Sequence, residues 1–176
     1  MYNYVETLVN LMGLNWSKFL TYKETPYVEA VFLNASNDPD AESSIDSLGF
    51  TVAYVGRRLA GEPNSSTFNP LKSQATIRVK FKADSYTTLA LSEEFVLQTM
   101  IADRVAMADG SFPNYVNIEP VYETPTGLEA DVFLAGYDFY VRQSERFVPL
   151  KNLALPDIEK TDVLVRQQET NNESQN

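Results

Sequence analysis

The chain of 176 residues is 44% hydrophobic and 12% aromatic, a composition typical of one packed domain, and its formal net charge is −10. It contains neither cysteine nor histidine, which excludes disulfides, thiolate nucleophiles, Cys/His zinc sites and Ser-His triads. Because the net charge repels phosphates and no apolar run approaches the roughly 18 residues of a membrane span, we predict neither a nucleic-acid-binding nor a membrane protein.

A short amphipathic helix is predicted at the N-terminus, over residues 2–12. Apolar side chains recur there at the helical spacing of three and four residues, namely Val5, Leu8, Val9 and Met12. Gly13 follows this stripe and is predicted to stop the helix, because glycine is the residue most often found just past a helical C-terminus.

Two strands are predicted next. The runs 27–33 and 48–60 are rich in β-branched and aromatic residues, and polar turn residues follow the first of them. The stretch 61–70, GEPNSSTFNP, has the composition of a loop.

The stretch QATIRVKFKAD, residues 74–84, predicts a strand over 74–82 because apolar and polar side chains alternate along it. Its polar face carries Arg78, Lys80 and Lys82, which we call the cationic strip. Cations in a row repel one another and need acidic neighbours.

Two kinds of acidic partner for the cationic strip stay open. Carboxylates of the last two predicted strands lie within reach of a neighbouring strand, namely Glu119, Glu123, Asp131 and Asp138. Alternatively, the strip meets the acidic surface of another copy or another protein, where a complementary contact would set the register of assembly. Under the second hypothesis Arg78, Lys80 and Lys82 form an intersubunit interface.

A long helix and a β-hairpin complete the predicted fold. The helix covers about 88–107, with Thr87 or Thr88 as its cap and Gly110 just past its end. The hairpin pairs strands 115–123 and 131–143, and Pro120 argues for an edge strand or a bulge. Three alternating residues of the second strand are predicted to form the core against the helix, namely Tyr137, Phe139 and Val141.

These elements predict an α/β (α+β) fold: a mostly antiparallel sheet on which one long helix and a short N-terminal helix pack. The chain after Pro149 is polar and rich in Gln, Asn and Glu. We therefore predict a single domain over 1–149 and an extended C-terminal arm over 150–176.

No catalytic or cofactor motif is found in the sequence, so we expect no enzyme, no cofactor and no metal. The acidic turn Asn37–Glu42 lacks the glycine and the final glutamate of an EF-hand loop, which favours a solvated turn. Glu93 and Glu94 are adjacent on a helix, so they point in different directions and cannot form a facing carboxylate pair.

Four of the ten tyrosines fall in the final hairpin, namely Tyr115, Tyr122, Tyr137 and Tyr140. A well-packed sheet accounts for them, and an interface rich in tyrosine is the alternative.

The segment QATIRVKFKADSYTTLALSEEFVLQTM, followed by VNIEPVYETPTGLEADVFLAGYDFYVRQ, resembles the core of the tail-terminator (tail-completion) proteins in the neck of long-tailed bacteriophages. The resemblance is one of element order over about residues 1–145. It implies a small α/β subunit that forms a ring, typically hexameric, which caps the tail tube and docks onto the head–tail connector or stopper protein. It implies no catalytic residue and no cofactor.

The expected location is therefore the virion tail or neck, after synthesis in the host cytoplasm. DNA would pass through the ring without specific binding, since an acidic channel repels phosphates. The alternatives are another virion component, such as a head-completion, tube or baseplate protein, and, in other classes, a monomeric ligand-binding module or a carboxylate-dependent enzyme.

Overall fold

A computed structural model describes residues 1–60, 71–107, 110–122 and 132–145. In chain order the elements are α1 (Tyr2–Tyr22), β1 (Val31–Asn34), β2 (Gly49–Ala60), β3 (Leu71–Ala83), α2 (Tyr86–Leu97), β4 (Asn114–Tyr122) and β5 (Phe133–Glu145). A 3-10 helix (Ala41–Ser44) precedes β2, and a π-helical segment (Gln98–Asp103) extends α2. The predicted loop 61–70 and arm 150–176 lie outside the described residues.

The five strands form one sheet in the order β1-β2-β3-β5-β4. β1 runs parallel to β2, and the other three pairs are antiparallel. The predicted α+β fold, a mostly antiparallel sheet with two helices packed on it, is confirmed. The predicted hairpin partners β4 and β5 do pair, and β4 with its Pro120 lies at an edge of the sheet.

The prediction of a short N-terminal helix that ends at Gly13 was wrong. α1 includes Gly13 and is 21 residues long in total. The apolar stripe does not stop at Met12: it goes on through Trp16, Phe19 and Leu20, all of which are buried. A helical glycine costs about 1 kcal/mol relative to alanine, whereas burying one large apolar side chain contributes about 1.5–3 kcal/mol. Burial of the apolar side chains in the second half of α1 therefore outweighs the free-energy cost of a glycine within the helix.

The second helix begins and ends earlier than its pattern predicts. Ser85 is the N-cap: its Oγ accepts a hydrogen bond from the Thr88 N–H at 3.2 Å, and the Thr88 hydroxyl accepts one from the Ser85 N–H at 3.1 Å. The helical path ends with the π-helical segment, and Arg104 then turns to a φ of 40°. Gly110, with a φ of 78°, lies beyond this point and not at the end of the helix, and its N–H bonds to the carbonyl of Met107.

Strand boundaries differ from the predictions by a few residues. β1 begins at Val31 rather than residue 27, and the carbonyl of Val28, before the strand, accepts a hydrogen bond from the Trp16 indole N–H at 2.7 Å. The bulge in β4 lies between Tyr115 and Asn117 and not at Pro120.

The core lies between the sheet and the two helices. On this side, which we call the helix face, Phe50 contacts the rings of Trp16, Phe32, Phe81 and Phe95 at centroid distances of 4.9–6.2 Å. As predicted, Phe139 and Val141 are buried in this core, and Tyr137 is partly buried against it. The opposite side of the sheet is called the outer face below.

Candidate functional site on the outer face of the sheet

The cationic strip lies on the outer face, because the alternate residues of β3 are buried on the helix face. Arg78 donates two hydrogen bonds of 2.7 Å to the two carboxylate oxygens of Asp138, its partner in the register of β5. Lys80 donates to a carboxylate oxygen of Glu42 at 2.9 Å. Lys82 donates to the backbone carbonyl oxygen of Ile45 at 2.6 Å.

These contacts hold the connection between β1 and β2 against one end of the outer face. We call residues 35–48 the acidic connection, since they include Asp38, Asp40, Glu42 and Asp46. Two of its residues, Ala41 and Ile45, are buried, and the Ser36 hydroxyl accepts a hydrogen bond from the N–H of Tyr54 at 2.9 Å. The acidic connection is therefore fixed at several points.

The structure thus supplies acidic or carbonyl partners for the cationic strip within the chain. Asp138 is one of the four hairpin carboxylates that the sequence suggested as partners. Glu42 lies outside the hairpin and was not predicted as a partner. Only the register across β2, β3 and the acidic connection brings Glu42 beside Lys80, which no local pattern reveals. The intersubunit role of Arg78, Lys80 and Lys82 stays a prediction.

Of the other hairpin carboxylates, Glu119 is described, while Glu123 and Asp131 lie outside the described residues. Glu119 accepts a hydrogen bond from the Tyr140 hydroxyl at 2.9 Å and another from the Asn117 amide at 2.7 Å. The hydrogen bond to Glu119 raises the pKa of Tyr140, since loss of the phenol proton would place two negative oxygens together.

The hairpin tyrosines divide between the two faces of the sheet. On the helix face the Tyr137 hydroxyl donates to Glu93 of α2, and the hydroxyls of Tyr4 and Tyr115 lie 3.5 Å apart. Burial raises the pKa of both Tyr4 and Tyr115. These residues pack the sheet against the helices. The side chain of Tyr122 is not among the side chains that the structure describes.

The acidic residues considered for metal or acid–base chemistry have other partners. Glu93 accepts from Tyr137, and Glu94 forms an ion pair with Lys23. In the acidic connection, Asp38 accepts the backbone N–H of Asp40 at 3.0 Å. Among the described residues no group of three or more acidic side chains is placed to hold a metal ion.

A cleft of about 380 Å³ lies between the two helices, away from the sheet. Its walls come from α1, α2 and the π-helical segment, and the lining residues are Asn15, Lys18, Phe19, Tyr22, Phe95, Gln98 and Asp103. A lining that combines aromatic rings with a cation and a carboxylate suits a small amphipathic ligand.

A second set of cations on the outer face was not predicted from the sequence. The register aligns Arg58 with Gln74, Gln74 with Arg142, and Arg142 with Asn114. We call these four residues the arginine row. The arginines are 84 positions apart in the chain (142 − 58), so the only sequence signal is a cation on each of two strands, and strand pairing alone brings them together.

No protein-family model matches the chain, and a search of curated proteins gives no match. Neither described helix combines the length and the apolar character needed to cross a membrane.

Proposed function

We propose that the protein is a structural subunit of a phage neck or tail. In this role copies assemble into a ring, typically hexameric, that ends the tail tube and joins it to the head connector or stopper protein. The protein is then located in the virion, and DNA passes through the ring without specific binding. The subunit performs no catalysis and holds no cofactor.

One observation carries the proposal: the two faces of the sheet are covered unequally. Both helices pack on the helix face, whereas the described part of the outer face is covered by the acidic connection at one end only. A ring subunit needs such a division, since one side must stabilise the fold while another remains available to neighbours. The resemblance to tail-terminator proteins implies the same arrangement of a helix on a mostly antiparallel sheet.

The experiment is to measure the solution mass of the purified protein and to image it by negative stain, alone and with tail tubes. The proposal expects rings, or rings that form only on the end of a tube. A chain that stays monomeric and binds neither tubes nor connectors would contradict it. Binding along the tube or at the baseplate instead would favour another virion component.

The cationic strip is tested separately, with a matched pair of variants. Lys80→Glu with Lys82→Glu places a carboxylate next to Glu42, so loss of assembly could reflect a disturbed acidic connection. Lys80→Glu combined with Glu42→Lys keeps the ion pair while exchanging the positions of its two charges. If the strip binds an acidic neighbour, both double variants assemble less well than the natural chain while remaining folded. Unchanged assembly in both would contradict the interface role.

The cleft between α1 and α2 favours a second candidate function, that of a monomeric ligand-binding module. A thermal-shift screen with small amphipathic ligands tests it, and Gln98→Ala changes one of the residues that line the cleft. Ligands that raise the melting temperature of the natural chain but not of this variant would support the module. No shift with any ligand, together with ring formation, would exclude it.

A further inference from the structure

The arginine row presents two cations on the outer face to which the described part of the chain supplies no ion-pair partner. Cross-strand spacing places the Cα atoms of Arg58 and Arg142 roughly 10 Å apart, with Gln74 between them. Both arginines are exposed, and neither forms an ion pair in the part of the chain that the structure describes. Two like charges this close favour a shared anionic partner.

The described carboxylates of β4 and β5 on the outer face already have hydrogen-bond partners. Asp138 chelates Arg78, and Glu119 is held by the Tyr140 hydroxyl and the Asn117 amide. The arginine row therefore has hydrogen-bond donors without a described internal acceptor. Guanidinium groups flanked by side-chain amides are well suited to bind carboxylates, because all of them donate hydrogen bonds.

Exposed carboxylates lie on the same chain in the acidic connection. Asp40 and Asp46 of the acidic connection are both exposed. Their connection is anchored at Lys80 and Lys82, which lie six and eight residues beyond Gln74 on β3, or roughly 20 Å and more along the strand. Among the described residues, neither Asp40 nor Asp46 forms an ion pair with Arg58 or Arg142 of its own chain.

The acidic connection is also preorganised to present these carboxylates. Its backbone is tied by the Lys80 contact with Glu42, by the Lys82 contact with the Ile45 carbonyl, and by the Asp40 N–H bond to Asp38. A segment that is ordered before binding loses less conformational entropy when it docks.

We propose that the arginine row is the docking site for the acidic connection of a second copy of this chain. The carboxylates of Asp40 and Asp46 in one copy bind the guanidinium groups of Arg58 and Arg142 in the next. This inference rests on the proposed function for its biological setting, and names the two surfaces through which the ring closes. It also explains how chains of net charge −10 can associate, since the contact pairs opposite charges locally.

The test exchanges the charges of the two surfaces rather than varying salt, because salt screens the local attraction and the overall repulsion alike. One variant is Arg58→Glu with Arg142→Glu. The other is Asp40→Arg with Asp46→Arg, which leaves Asp38 in place because its carboxylate holds the backbone turn. A control, Lys18→Glu with Arg104→Glu, changes the net charge as much as the first variant but alters exposed cations of other surfaces.

Sedimentation velocity over a concentration series gives the outcome, with circular dichroism to verify folding. Each charge-exchanged variant alone should associate more weakly than the natural chain, by roughly tenfold or more. An equal mixture of the two should recover natural association, because every contact then pairs opposite charges again. The Lys18/Arg104 control should associate as the natural chain does.

Three results from the variants would overturn the inference: natural association of the Arg58/Arg142 variant, failure of the mixture to recover association, or an equal loss in the control. A natural chain that remains monomeric at all concentrations, and on tail tubes, would overturn it together with the ring. Rings that form normally from the Arg58/Arg142 variant would overturn the docking site and leave the proposed function standing.

Discussion

On the helix face of the sheet, Phe50 is fully buried among four aromatic rings, whereas on the outer face Arg78 and Lys80 keep part of their surface in water and are held by carboxylates. The first face is stabilised by burial of apolar area, which has no preferred partner. The outer face is stabilised by a few directional contacts, and its remaining polar groups, such as those of Arg58 and Arg142, are exposed to solvent. The comparison teaches that the two sides of one sheet are stabilised differently, one by apolar burial and the other by a few charged and polar contacts.

The largest expected effect is on the helix face. Phe50→Ala removes a ring that contacts Trp16, Phe32 and Phe95, and it should lower the free energy of unfolding by about 3–5 kcal/mol. Val55→Ala is the matched control, since Val55 is 51% exposed and should change stability by about 0.5 kcal/mol or less. Urea unfolding measures both. Similar losses in the two variants would show that the faces do not differ as described.

A smaller effect is expected where the outer face has its most buried charge. Asp138→Asn removes the charge that chelates Arg78, and it should cost about 1–3 kcal/mol because Asp138 is only 7% exposed. Glu119→Gln, at an exposed position of the neighbouring strand, should cost much less. The same unfolding experiment checks both, and equal costs would contradict a structural role for the Arg78–Asp138 pair.

Alkaline pH should weaken the helix face in particular. Burial raises the pKa of Tyr4 and Tyr115 in the folded chain, so above about pH 10 the unfolded chain releases these protons while the folded chain retains them. Stability is therefore fully present below that pH and declines as the pH rises further. Unfolding measured across this range should show a shallower decline in the double variant Tyr4→Phe, Tyr115→Phe. An unchanged slope would contradict the burial of these hydroxyls.

The smallest effect concerns the glycine within α1. Gly13→Ala should raise the free energy of unfolding by about 0.5–1 kcal/mol, because it lowers the entropy of the unfolded chain and favours helix. A Cβ at this position would lie 3.7 Å from the Phe32 ring, which is an ordinary contact. Thermal unfolding measures the gain. A loss of stability would mean that α1 is not continuous through residue 13.

Much of the sheet could be predicted from the sequence, because burial on one face imposes a period of two. The alternation along 74–82 and 131–143 gave the strands, their buried residues and the outward position of Arg78, Lys80 and Lys82. The parallel pairing of β1 could not be predicted, since a four-residue strand carries no signal of direction.

Helix ends and outer-face partners were harder to predict for a common reason. The end of α1 depends on what Trp16 and Phe19 pack against, and the partner of Lys80 depends on where the acidic connection crosses the sheet. Both are consequences of tertiary structure. The arginine row is the clearest case, because it exists only once β2, β3, β5 and β4 are paired in register.

The measurement that tests most directly whether copies meet on the outer face is carboxylate footprinting of the assembled and the dilute protein. Labelling of Asp40 and Asp46 should fall on assembly, while labelling of Glu6 and Glu24, which are exposed on and after α1, should not change. Unchanged labelling of Asp40 and Asp46 in the assembled protein would contradict the account.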